Sequence, residues 1–76
     1  MKEILELIIT NLVENKQEVS IEEIAEDKVV TYKVKVSKDD MGRVIGKQGR
    51  VAKSIRTVMK SVSAKEGKKV NIDFVD

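Results

Sequence analysis

The sequence predicts a two-layer α+β domain with the element order α-β-β-α-α-β, in which a three-stranded sheet carries three helices on one face. Three observations predict it. Apolar residues recur at helical spacing in three stretches, and they alternate at strand spacing in three others. The 76 residues contain no proline, no Ser/Gly-rich linker and no internal repeat, so residues 1–76 read as a single domain around one thin core.

In the first stretch Ile4, Leu5, Ile8, Ile9, Leu12 and Val13 follow i, i+1, i+4, i+5 spacing. This predicts an amphipathic helix over residues 2–15, made mostly of good helix formers. Val19 and Ile21 then alternate with Glu18, Ser20 and Glu22 as in a half-buried strand, and Glu26-Asp27-Lys28 makes a polar turn. Val30, Tyr32, Val34 and Val36 alternate with Thr31, Lys33 and Lys35, the cleanest strand signal in the chain. The two strands most simply form a hairpin. Ser37 is placed to cap a short helix whose first turn holds Asp39 and Asp40, where the positive helix end favours carboxylates. That helix carries Met41, Val44 and Ile45 and halts at Gly46. Residues 50–65 predict a longer helix with Val51, Ala52, Ile55, Val58, Met59 and Val62 on one face and Gly67 as its stop. Val70, Ile72 and Phe74 alternate with Asn71, Asp73 and Val75 in a last strand.

Composition removes several function classes. With neither cysteine nor histidine, the chain has no thiol or imidazole chemistry, no disulfide and no zinc site built on those ligands. Its longest apolar run is Leu7-Ile8-Ile9, too short to span a membrane or to serve as a secretory segment, so a cytoplasmic location is expected. Tyr32 and Phe74 are the only aromatic residues, which disfavours RNA reading on an aromatic sheet surface. The formal net charge of +2 hides a segregation: residues 1–27 hold two lysines against eight acids, whereas residues 28–76 hold thirteen cations against five acids. Residues 43–60 contain six cations and no acid, as a surface facing a polyanion requires. A solvated helix face is the plain alternative for such a run.

The tetrapeptide Gly46-Lys47-Gln48-Gly49 lies between two predicted helices. Two glycines this close point to unusual backbone dihedrals or to close approach by another molecule. The turn also delivers the chain into a helix N-terminus, where free N–H groups and the helix dipole favour phosphate. It is not a Walker A loop, because Gly42 and Gly46 enclose three residues rather than four and Gln48 follows Lys47. Nor do Gly42, Gly46 and Gly49 have dinucleotide-fingerprint spacing. What remains is a G-x-x-G turn joining two helices, flanked by Val44-Ile45 and by Val51, Ala52, Ile55 and Arg56 at helical spacing.

This pattern resembles the KH family of RNA-binding domains, and the predicted order is similar to its type II arrangement. The segment running Met41-Gly42-Arg43-Val44-Ile45-Gly46-Lys47-Gln48-Gly49-Arg50-Val51-Ala52-Lys53-Ser54-Ile55-Arg56 and the closing Lys65-Glu66-Gly67-Lys68-Lys69-Val70 extend the likeness over the whole chain, toward the small stand-alone bacterial members. Residues 1–28 then supply the additional helix and strand, and residues 29–76 the minimal KH core. Where such members are expected to carry proline after the first helix, this chain has Asn15-Lys16-Gln17. The resemblance implies a single-stranded RNA-binding module that clamps the backbone of about four nucleotides. It also implies homodimerisation or pairing with a larger KH-containing bacterial protein, and RNA-level regulation or chaperoning tied to cell shape, elongation and division.

The expected RNA-binding residues are Gly46, Lys47, Gln48, Gly49, Arg50 and Lys53, with Arg43 just under one turn before the loop. Val44 and Ile45 are adjacent and cannot point the same way on a helix; Val44 is expected in the core and Ile45 on the floor of the base groove. Arg50, Lys53, Arg56 and Lys60 follow at steps of three or four on one flank of the helix, some of them plain solubilising charges, with Arg50 and Lys53 nearest the loop. The carboxylates of residues 1–27 lie on polar faces with no nucleophile beside them, so no catalytic residue, metal or cofactor is expected. Single-stranded DNA stays open as a ligand, because a phosphate clamp does not read the 2′-OH. The competing reading is a KH-fold module whose main surface is a homo- or heterodimer contact.

Overall fold

A computed structural model describes residues 1–75. Its elements are α1 (Lys2–Leu12), β1 (Ser20–Glu26), β2 (Val29–Lys35), α2 (Met41–Ile45), α3 (Arg50–Lys65) and β3 (Lys69–Val75). Short 3-10 turns occupy Lys16–Glu18, Lys38–Asp40 and Lys47–Gly49. The expected α-β-β-α-α-β order is therefore the observed one.

The sheet runs β1-β2-β3. A two-residue turn at Asp27-Lys28 joins β1 to an antiparallel β2, with Glu26 opposite Val29. The β2–β3 pair is parallel, with Val30 opposite Val70 and Tyr32 opposite Ile72, so the connection has to cross over, and α2 and α3 make that crossover. Alternation puts Val30, Tyr32, Val34, Val70 and Ile72 on one face, where Leu5 and Ile9 of α1, Val44 of α2 and Ile55 and Met59 of α3 cover them. Tyr32 is the largest of the fully buried side chains. Burial, and then the nearby Glu23 carboxylate, push its phenol up to about 12, so it stays a neutral core residue.

The first strand runs Ser20–Glu26, later than the Glu18–Glu22 alternation and taking in Glu26 of the expected turn, with Lys16–Glu18 in a 3-10 turn instead. Two helix boundaries also differ from the sequence reading, and one side chain accounts for both. The first helix stops at Leu12 rather than reaching Asn15. The backbone N–H groups of Glu14 and Asn15, which a longer helix would turn inward, donate instead to Oδ1 and Oδ2 of Asp40 at 3.1 and 2.9 Å. The helix expected after Ser37 is split into the Lys38–Asp40 turn and the five-residue α2. Ser37 does cap it: its Oγ accepts from the Asp40 N–H at 3.3 Å and donates to Asp40 Oδ2 at 3.0 Å. The Asn15 side-chain amide donates to the same Ser37 Oγ at 3.0 Å. Asp40 is 1 % exposed, and Arg43 Nη1 reaches it at 3.5 Å. Burial by itself would raise its pKa. The N–H groups of Asn15 and Glu14, together with the Ser37 and Asn15 side chains, outweigh that and hold it at about 2.

The α2–α3 connection depends on Gly46, whose φ of 76° and ψ of 176° lie in a region open essentially to glycine alone. A Cβ at this position would sit 2.4 Å from Val51 Cγ2 and 2.9 Å from the Val51 amide nitrogen. Gln48 follows in the left-handed region at φ 57°, ψ 25°, and Gly49 at φ 73°, ψ 15°. A Cβ on Gly49 would meet nothing within 4 Å. At its far end α3 closes in a Schellman motif, with Lys68 N–H donating to Ser63 C=O at 3.0 Å and Gly67 N–H to Ala64 C=O at 3.1 Å.

These contacts make two predictions. Gly46→Ala combines backbone strain with overlap and should destabilise the domain by about 3 kcal/mol or more, whereas Gly49→Ala carries only the left-handed backbone term of about 1–2 kcal/mol. Urea unfolding of the two variants measures the difference, and equal losses would contradict the packing account. Asp40 has a folded pKa below its unfolded value, so its contribution is complete above about pH 4 and fades as pH falls toward 2. Asp40→Asn should lower the thermal midpoint by roughly 10 °C at pH 7, with the gap from wild type closing below pH 3.

Candidate nucleic-acid interface

The backbone that Gly46 permits turns the chain sharply and delivers it into α3. Within the turn Gly49 N–H donates to Gly46 C=O at 3.2 Å, and Arg50 N–H closes on Lys47 C=O. The first amides of such a turn have no acceptor inside it and lie at the positive end of α3. Lys47, Gln48 and Arg50 are exposed around them, with Lys53 one turn further on. The structure thus brings Gly46, Lys47, Gln48, Gly49, Arg50 and Lys53 together at one end of α3.

Val44 and Ile45 divide as their adjacency requires. Val44 is fully buried, while Ile45 is half-buried at the margin of the core beside the turn. Arg43 occupies a different environment. Its Nη2 pairs with Glu14 Oε1 at 3.1 Å and its Nη1 with Asp40 Oδ1 at 3.5 Å, so two carboxylates already compensate its charge. Lys47, Arg50, Lys53, Arg56 and Lys60 form no ion pair among the described residues. A row of uncompensated cations therefore runs from the turn along α3.

Opposite this row lies the outer edge of β3. Since β3 packs beneath α3 and runs back toward the turn, Arg56 and Lys60 border a cleft of about 480 Å³ along β3 that also takes in Thr31 of β2 and none of residues 45–53. Arg56, Lys60, Asn71, Ile72 and Asp73 are among its lining residues. The acidic strand β1, with Glu22, Glu23 and Glu26, is at the other edge of the sheet. Two strand spacings, about 10 Å, separate the edges. The segregation of charge along the chain thus becomes a segregation between the two edges of one sheet.

Two features of the structure go beyond the sequence reading. Local pattern marks Asp40 as a helix-start carboxylate, yet it anchors the chain after α1; the Ser37-x-x-Asp40 spacing, close to a capping box, is the signal that points to it. Arg56, not among the expected RNA-binding residues, donates from Nε to Ile72 C=O at 3.2 Å, and its guanidinium sits 5.5 Å from the Phe74 ring centroid. No local pattern reveals that contact, because it joins α3 to a strand sixteen residues away.

The family described as KhpA/KhpB, KH domain, matches residues 2–74. The RNA-binding protein KhpA of Clostridium perfringens is 45% identical over 75 residues, covering 99% of this chain and all of that protein. The protein of the same name from Listeria monocytogenes is 45% identical over 76 residues, covering both chains in full. That of Chlamydia trachomatis is 38% identical over 76 residues, covering all of this chain and 97% of its own. These relatives are named as RNA-binding proteins and not as enzymes. No solved structure matches significantly. With a family match over nearly its whole length and the type II order in its fold, the chain belongs to the KhpA/KhpB family of KH domains.

Proposed function

We propose that the chain binds single-stranded RNA without catalysis, clamping the backbone of about four nucleotides at the Gly46-Lys47-Gln48-Gly49 turn. The observation that carries this reading is the turn itself: a glycine-only backbone at the mouth of α3, next to cations that pair with no carboxylate among the described residues. Lys47 and Arg50 contact phosphate, Gln48 bonds phosphate or a base edge, and Lys53 follows the backbone along α3. Ile45 forms part of the apolar floor beneath the bases. Arg43 contributes less, because Glu14 and Asp40 hold its charge.

A second reading has its own support. Ile4 is 41% exposed and Leu7 64% exposed on α1, and Val58 is 46% exposed on α3. Such side chains fit a homodimer or a complex with a larger KH-containing bacterial protein, and linking two weak sites would raise effective concentration. Size-exclusion chromatography with and without RNA separates assembly that needs nucleic acid from assembly that does not. A cytoplasmic location and a role in RNA-level regulation of bacterial elongation and division complete the proposal; a deletion strain complemented with loop variants tests the cellular role.

Three outcomes are expected in fluorescence anisotropy with short unstructured RNAs. Lys47→Asp combined with Gln48→Asp abolishes binding while the circular dichroism spectrum stays that of the wild type. Neutralising about three phosphates gives a log–log salt slope near about −2, so affinity that stays constant up to about 300 mM salt would refute the phosphate clamp. Arg50→Ala and Lys53→Ala each weaken binding by about threefold to tenfold, against less than about twofold for Arg43→Ala.

A further inference from the structure

An outer strand edge presents unpaired carbonyl and amide groups, and an extended ligand beside it can bond to them. The outer edge of β3 forms one wall of the cleft along α3, so its free groups are what a base in that cleft would meet. The edge is not fully open. Ile72 C=O, near the middle of the strand, already accepts from Arg56 Nε at 3.2 Å. The guanidinium is further held over Phe74 at 5.5 Å, a cation–π contact that favours this rotamer. One lone pair of the acceptor that an exocyclic amino group would use is therefore engaged, with the guanidinium standing beside it. Among the described residues both Nη groups of Arg56 lack a hydrogen-bond partner, so the same side chain offers donors there.

We propose that Arg56 is the base-selecting residue of the cleft and that it favours guanine over adenine. The inference rests on the RNA-binding reading above. Guanine offers O6 and N7 as neighbouring acceptors, the pattern a planar guanidinium matches with two parallel hydrogen bonds. Adenine offers an N6 amino group beside N7, and that amino group meets another donor in the Arg56 Nη groups. Asp73 lines the same cleft and supplies a carboxylate for the N1–H and N2–H groups of guanine, an edge adenine lacks. The α3 cations thus have separate roles. Lys47, Arg50 and Lys53 beside the turn hold phosphate, and Arg56 further along the helix reads a base.

The test uses eight-nucleotide uridine tracts carrying one central guanosine, adenosine or 7-deazaguanosine, titrated against the full chain. Wild type should bind the guanosine tract about tenfold more tightly than the adenosine tract, and 7-deazaguanosine, which lacks N7, should lose most of that advantage. Arg56→Lys keeps the charge but loses the planar fork. It should bind the plain uridine tract within about twofold of wild type while its guanosine and adenosine affinities converge. Equal affinity of wild type for guanosine and adenosine overturns the proposal, as does an undiminished guanosine preference in Arg56→Lys. Failure of wild type to bind any tract overturns the RNA-binding reading itself, and this inference with it. Should Arg56→Lys melt early, the 7-deazaguanosine comparison on wild type carries the same test.

Discussion

Asp40 holds three separate stretches of chain together with one buried carboxylate. Its two oxygens take the backbone N–H groups that follow α1, the hydroxyl of Ser37 after β2, and the guanidinium of Arg43 within α2. Each bond compensates part of the cost of burying the charge, and none would do so alone. The geometry that results is consequential. It ends α1 at Leu12, starts α2 directly after the Lys38–Asp40 turn, and so fixes where Gly46 turns the chain toward α3. A neutral side chain at position 40 could not accept from all these donors at once, so the orientation of the helix pair depends on the ionised form.

Much of the fold is legible in local patterns because those patterns reflect local physics. The alternation from Val30 to Val36 identifies the central strand, and the apolar face from Val51 to Val62 identifies the long helix, since each periodicity has only one element that buries it. Gly46 and Gly49 mark the turn because only glycine tolerates the backbone at position 46 and the packing against Val51. The helix boundaries are less legible. Residues 13–15 continue an acceptable helical pattern, and what ends the helix is a side chain twenty-five residues away. The same holds for Arg43 and Arg56. As members of a basic run they look alike, but one is paired with two carboxylates and the other is bound to the sheet edge. Charge counts in sequence do not distinguish free cations from paired ones; tertiary neighbours do.

The proposed RNA-binding surface follows from these constraints in order. A glycine-only turn stands at the start of α3, cations with no ion pair among the described residues extend from it, and the two furthest along, Arg56 and Lys60, border the cleft beside β3. The acidic β1 stands at the opposite edge, where it repels a polyanion from the rest of the sheet. With one of the two aromatic rings buried and the other under Arg56, stacking on aromatic side chains has little part in base contact. In the proposed RNA complex, base discrimination then falls to hydrogen bonds at the strand edge and to the shape of an apolar floor, and backbone affinity falls to the turn.

The most direct test of this account is an amide chemical-shift titration of the isotope-labelled chain with a short unstructured RNA, because it reports position and affinity together. The account predicts that the largest perturbations fall on residues 46–53 and on the outer strand β3, leaving Glu22, Glu23 and Glu26 of β1 unmoved. Dominant shifts on the exposed face of α1 around Ile4 and Leu7, with the glycine turn silent, would contradict it and assign the principal surface to protein association.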